Sequence, residues 1–162
     1  MSAGFVVRRA SVEDAVGIGR VHVASRRETY APLVEPGELD EVSVDAKVDH
    51  WRQVIDDDQS RTWVAVVGDE IVGFSRSGTR RNHERVRPLE LEAIYLLAAH
   101  HGSGAGQELL ESAVGDAPAF LFVADGNPRA WSFYRRNGFE FDGATETFPL
   151  VRTPLRTLRM VR

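Results

Sequence analysis

The sequence predicts a mixed α/β fold with an antiparallel front and a strand, helix, strand, helix unit behind it. Three observations predict it. Strand-like and helix-like hydrophobic patterns alternate along the chain, without a repeat, a low-complexity tract or a linker. The stretch TWVAVVGDEIVGFSRS, Thr62 to Ser77, sets two apolar-rich segments on either side of Gly68 and Asp69, as an antiparallel hairpin with a tight turn would. The stretch HHGSGAGQELL, His100 to Leu110, places glycines at alternate positions ahead of an amphipathic run.

The elements follow in order. Phe5 to Arg9 reads as an opening strand, and Ser11 with Glu13 and Asp14 as the N-cap and acidic first turn of a helix. Val16, Ile18, Val21, Val23 and Ala24 supply its apolar positions, while Gly17 and Gly19 weaken it. Pro32, Pro36 and Gly37 break the chain before a second helix from Val44 to Ile55, which ends in the solvated Asp56, Asp57 and Asp58. After the hairpin, Leu89 to Leu97 is a strand, Gly106 to Val114 a helix carrying Leu109, Leu110, Ala113 and Val114, and Ala119 to Ala124 a buried strand. Asn127 caps the next helix with Pro128 at its first position. Gly138 stops that helix after Ala130, Phe133 and Tyr134 have formed its inner face. Phe139 to Phe141 and Leu155 to Val161 are the closing strands.

Composition narrows the function. With 162 residues, 43% hydrophobic and 27% charged, the chain is expected to form one domain spanning residues 1–162. A net charge of -4 argues against a general nucleic-acid binder, which needs a basic stripe to neutralise phosphates. The chain has no cysteine, which excludes disulfides, thiolate nucleophiles and cysteine-bound metals. His22, His50, His83 and His100 lack metal-ligand spacing, so no metal is expected. No apolar run approaches the roughly 20 residues that span a bilayer, and no apolar leader precedes Val6. A cytoplasmic location without membrane contact is the expectation.

The glycines at 102, 104 and 106 admit three phosphate-binding readings. A P-loop needs a lysine followed by Ser or Thr, yet the sole lysine is Lys47. A dinucleotide fingerprint needs G-x-G-x-x-G directly after the strand; the third glycine here is Gly106 where that spacing requires position 107, which is Gln107. An NAD-dependent Rossmann-type oxidoreductase is therefore a weaker alternative. In the third reading the N–H groups of Ser103, Gly104, Ala105 and Gly106 converge on a pyrophosphate at the positive end of the following helix.

That third reading gains from a resemblance. LELEAIYLLAAHHGSGAGQELL is similar to the acetyl-CoA-binding motif of the GNAT (GCN5-related N-acetyltransferase) family, R/Q-x-x-G-x-G/A between an apolar strand and a helix. GNPRAWSFYRRNGFEFDG resembles the family's N-x-x-A-x-x-F-Y-x-x-x-G-F. The chain departs at the first motif position, where His101 stands for the usual Arg or Gln. The resemblance implies a mixed, mostly antiparallel sheet whose central parallel strands splay apart, flanked by helices. It implies acetyl-CoA (coenzyme A) as donor, held by Ile94, Tyr95 and Leu96 along the pantetheine arm, by His101, Gly102, Ser103, Gly104, Ala105 and Gly106 at the diphosphate, and by Asn127 and Tyr134. A homodimer is common among such proteins.

Transfer to an amine needs a deprotonated nucleophile, a stabilised oxyanion and a leaving thiolate. Glu90, eleven residues before His101, is the first candidate base on the resembling strand. Glu92 has the same parity and is either its relay partner or the base itself. Both glutamates could instead line a polar sheet face. The N–H of Leu96 is the candidate oxyanion donor and the Tyr134 hydroxyl the candidate acid. Tyr30 and Trp51 fall where the acceptor wall forms in the family, or else are ordinary packing. Arg152 or Arg156 could meet an acidic substrate or a partner subunit. The acceptor, a small-molecule amine or a peptide, stays open, and so does a non-catalytic acyl-CoA-binding module.

Overall fold

The computed structural model describes residues 4–79 and 86–162. His83 lies outside them. In chain order the principal elements are β1 (Phe5–Arg9), α1 (Ala15–Tyr30), α2 (Val44–Val54), β2 (Ser60–Val67), β3 (Glu70–Gly78) and β4 (Leu89–Leu96). There follow α3 (Ala105–Val114), β5 (Ala119–Ala124), α4 (Pro128–Arg136), β6 (Glu140–Pro149) and β7 (Pro154–Val161). The seven strands form one sheet in the order β1-β2-β3-β4-β5-β7-β6, and the β4–β5 pair alone is parallel. A doubly wound Rossmann sheet is thereby excluded, because its strands would run parallel on both sides of the switch point.

Two apolar layers hold the sheet. On one face α1 and α2 pack Ile18, Val21, Trp51 and Ile55 against Val64 and Phe74. Gly17 and Gly19 sit inside α1 because a Cβ at either would come within 2.7 Å of Ile71 or Val48 side chains, so close packing explains residues that local propensity disfavours. On the other face lie Leu109 and Leu110 of α3 and the cluster around Leu121, Tyr134, Phe139 and Met160. Each such fully buried leucine contributes about 1.5–3 kcal/mol by leaving water. Two buried serines fix the height of α3: Ser75 Oγ donates to the Leu109 carbonyl at 2.8 Å and Ser77 Oγ to that of Ala113 at 2.6 Å. Buried hydroxyls need such partners, and these place the helix start relative to β4.

The segment between α1 and α2 is tied across the molecule. Glu38 is buried, and its carboxylate accepts from Thr153 Oγ1 at 2.7 Å and from the N–H groups of Thr153 and Arg152 at 3.1 and 3.2 Å. Arg152 pairs with Glu41, and Arg156 approaches Asp125 at 3.6 Å, so both arginines meet carboxylates of the chain itself. β6 is longer than Phe139 to Phe141 suggests. It is an edge strand, and residues 142–144 interrupt its register with β7, so no clean alternation marks it in the sequence. Phe139 precedes the strand and is fully buried. Among the described residues no helix is long and apolar enough to cross a membrane, and no acidic or histidine cluster could hold a metal.

Candidate active site

The parallel pairing of β4 with β5 lasts for only two residue pairs, Leu89 with Ala119 and Glu90 with Phe120. Beyond them the strands part. A bulge contributes: β3 pairs Ser77 with Leu91 and Arg76 with Ala93, leaving Glu92 as the extra residue and twisting β4 away from β5. A cavity of about 650 Å³ occupies the gap.

Main chain lines one side. The N–H of Leu97 donates to Val72 at 2.9 Å, so by antiparallel alternation Tyr95 bonds to β3 while Ile94 and Leu96 turn their polar groups towards the gap. The expectation of backbone contacts from all three meets this alternation differently along the strand: Ile94 and Leu96 have their polar groups on the gap side. For Tyr95 it is corrected: its main chain belongs to the β3 ladder and its side chain lines the cavity. His101 Nε2 lies 2.9 Å from the Leu96 carbonyl. A carbonyl only accepts, so this bond requires the proton on Nε2. His101 therefore caps the strand end where the motif usually has Arg or Gln.

The glycine loop closes the same end. Gly102 and Gly104 adopt φ of +82° and +93°, the left-handed region that disfavours side chains, and Gly104 caps α3. A Cβ on Gly106 would meet nothing closer than a Leu96 methyl at 3.8 Å. Packing does not demand a glycine there; a side chain would project into the cavity. Two loop residues play another part. The N–H of Ser103 goes to the His100 carbonyl at 3.2 Å, while Ser103 Oγ accepts the N–H of Ala105 at 3.2 Å. Ala105 itself is buried, so Gly102, Gly104 and Gly106 line the cavity whereas Ser103 and Ala105 shape the turn behind them.

Across the gap, Asn127 does its capping work, with Oδ1 accepting the N–H of Ala130 at 3.3 Å, and also lines the cavity. Trp131 Nε1 donates to the Ala124 carbonyl at 2.9 Å and anchors α4 on the end of β5. Tyr134 is buried beside Phe139 yet borders the cavity. Burial, and then the neighbouring Tyr95, push its hydroxyl above the ordinary tyrosine range, so it keeps its proton.

Tyr30, Tyr95 and Glu92 line the cavity as well. Tyr95 Oη accepts from Arg26 Nε at 3.4 Å; burial first, then the neighbouring Tyr95, raise the Tyr30 hydroxyl well above its usual range. With Tyr134, all three tyrosines of the chain face this one cavity. Glu92 Oε2 accepts from Ser60 Oγ at 2.7 Å and lies 3.9 Å from Arg76 Nε. Its carboxylate fills the space over Gly78, where a Cβ would come within 2.5 Å of it. Glu90 is buried opposite Gly78 and is not among the lining residues.

Trp51 is a second correction. It is 3% exposed, outside the cavity, and donates from Nε1 to His22 Nδ1 at 3.1 Å while packing edge-on against Phe74. A large ring on the inner face of α2 went to the core. Burial, aided by Arg26, Lys47 and His50, lowers the His22 pKa to about 2, so this ring stays neutral and can accept the indole proton. Sequence reasoning missed Ser25, Thr29, Gln107, Arg129 and Arg136, all of which line the cavity. For the two arginines the signal was present: they share a helical face with Phe133.

Similarity to known proteins agrees with this geometry. YuaI of Bacillus subtilis (strain 168), described as an uncharacterized N-acetyltransferase, is 32% identical over 131 residues, 75% of this chain and 73% of that protein. YncA of Salmonella typhimurium, solved with its cofactor acetyl-CoA, superposes with a TM-score of 0.69 at 18% identity, covering 98% of this chain and 93% of that one. The PaiA N-acetyltransferase of Thermoplasma acidophilum, solved in complex with coenzyme A, gives a TM-score of 0.63 at 18% identity over 96% and 98%. Residues 23–139 match the model of the Acetyltransferase (GNAT) family, and the chain belongs to that family of acetyl-CoA-dependent N-acetyltransferases.

Proposed function

We propose that this chain transfers an acetyl group from acetyl-CoA to a primary amine by direct attack, with Glu92 as the carboxylate that serves the amine. The observation that carries the reading is the meeting, in one cavity, of the bare amides of the α3 start, the gap-facing groups of Leu96 and the protonated Tyr134. Acetyl-CoA, when bound, supplies an acyl thioester. The amides around Gly104 and Gly106 hold its diphosphate end, aided by the helix dipole. Leu96 offers an N–H to the oxygen that gains charge, and Tyr134 offers a proton to the departing sulfur.

The amine is mostly protonated at neutral pH and must lose a proton before it attacks. Glu92 is supported in this role because it borders the cavity, whereas Glu90 does not. Ser60 and Arg76 hold one of its oxygens, which fixes the carboxylate's orientation. Fixing both reactants supplies much of the rate, since it replaces an encounter by a positioned contact. The chain acts as a single domain on a small-molecule amine or a peptide.

Calorimetry with acetyl-CoA, coenzyme A and NAD, followed by thiol release across a panel of amines, tests the reading. Binding of the first two without NAD, and turnover with at least one amine, is the expected result. Tight acetyl-CoA binding with no turnover on any amine would favour a non-catalytic binding module.

A further inference from the structure

One face of α4 carries charge that the amide cradle does not use. Arg129, Ser132, Phe133 and Arg136 are spaced for a single helical face, and all four line the cavity. Both arginines are exposed, at the cavity's rim. Arg8, Arg52, Arg76, Arg152 and Arg159 each lie beside a carboxylate, but among the described residues neither Arg129 nor Arg136 forms an ion pair. Two guanidinium groups on one helical face of the cavity, with no ion pair among the described residues, are placed for an anion from outside.

A side-chain stitch brings this face to the donor end. Gln107 Nε2, in the first turn of α3, donates to Asn137 Oδ1 at 2.7 Å, and Asn137 Nδ2 donates to the Phe133 carbonyl at 2.9 Å. Arg136, the residue before Asn137, is held next to the helix start that receives the diphosphate. Seven residues of helix separate the arginines by about 10 Å along the axis, within the joint reach of two such side chains. The guanidinium of Arg136 also rests 5.9 Å from the Phe133 ring centre, on the cavity side of the helix.

Coenzyme A carries three phosphates. The helix start, with roughly half a positive charge and a few amides, suits the diphosphate and leaves the ribose phosphate unaccounted for. We infer that Arg129 and Arg136 form a clamp for the 3′-phosphate of the donor, making this enzyme selective for coenzyme A over its 3′-dephospho form. The inference rests on the acetyl-CoA reading above. Guanidinium suits the task because its planar fork can bind two oxygens of one phosphate, which an ammonium cannot do.

Calorimetric titration with coenzyme A and with dephospho-coenzyme A is the test, on wild type, Arg129→Ala, Arg136→Ala and Arg135→Ala. Arg135 is the control, because its guanidinium lies over Phe141 and it does not line the cavity. Wild type should prefer coenzyme A by about tenfold or more, the size of one strong charge-assisted contact. Either cavity-facing variant should pull that ratio towards unity by weakening coenzyme A alone, and Arg135→Ala should preserve it. Equal binding of both ligands by wild type, or variants that weaken both alike, would overturn the clamp and leave the donor reading standing. Failure of wild type to bind either ligand would overturn the donor reading, and the clamp with it.

Discussion

Two parts of the cavity lining are made of different materials. One part offers main-chain groups: the amides around Gly104 and Gly106 and the strand end at Leu96. The other part offers side chains, of which Glu92 and Tyr95 are oriented by side chains from other elements. Ser60 and Arg76 hold Glu92, and Arg26, 69 positions away in sequence, reaches Tyr95. A backbone site needs only local conformation and the absence of a Cβ. A side-chain site needs the whole fold to bring its supports together, and it changes whenever one of them is replaced. In the proposed reading, the main-chain part keeps a common donor while the side-chain part adapts to a particular acceptor.

The sharpest way to break this comparison is to remove the carboxylate and leave the cradle alone. Glu92→Gln should lower kcat by about a hundred- to ten-thousandfold, the range for loss of a positioned general base. Coenzyme A affinity, measured by calorimetry, should stay within about twofold, because the diphosphate end is untouched. Glu90→Gln should retain most activity. A reversed ranking of the two variants would return the base to Glu90 and make Glu92 a structural acceptor for Ser60.

Next in size is Trp51→Ala, which separates support from contact. Removing a buried ring from between α1, α2 and β3 should cost about 3–5 kcal/mol in urea unfolding. A KM for the amine that rises severalfold at unchanged stability would instead restore Trp51 to the acceptor wall. Gly106→Leu tests the main-chain part. Its side chain has room in the protein itself, so the fold should persist while donor affinity falls by about a hundredfold, as expected when a bound group is displaced by an ångström or more. Full affinity in that variant would mean that the diphosphate lies elsewhere.

The same contrast explains what the sequence made legible. Alternate glycines between a strand and a helix, and Asn-Pro opening another helix, are local signals, and their elements stand close to where pattern reasoning put them. The hairpin at Gly68 was equally readable, since its turn is set by neighbouring residues. Glu92 could not be separated from Glu90 by parity, because the feature that distinguishes them is a bulge defined by pairing with β3. Sequence alone fits Trp51 equally to a substrate wall or to the core; its partner His22, to which the indole N–H donates, lies 29 positions away and carries no local signal. Gly78 held a usable clue: it is bare where the Glu92 carboxylate packs, but only the register reveals which side chain lies over it.

The smallest expected effect probes how the side-chain part is propped up. His22 sits behind Tyr95, with ring centres 5.3 Å apart, and its folded-state pKa is lowered from 6.5 to about 2, chiefly by burial. A depressed pKa means that the unfolded chain binds the proton more readily, so the contribution of His22 is fully present above pH 6.5 and is lost as pH falls towards the folded value. Below pH 6.5 each unit should cost about 1.4 kcal/mol. Asp14, held down mainly by Arg8, and Glu38, held down mainly by Thr153, also lower stability in acid, but only near and below the carboxylate range. Urea unfolding between pH 6.5 and 5 therefore isolates the histidine. His22→Gln, whose amide oxygen can still accept from Trp51, should be nearly flat across that window where wild type slopes. Equal slopes would show that the ring takes up its proton without unfolding, and that the layer behind Tyr95 is open enough to hydrate a charge.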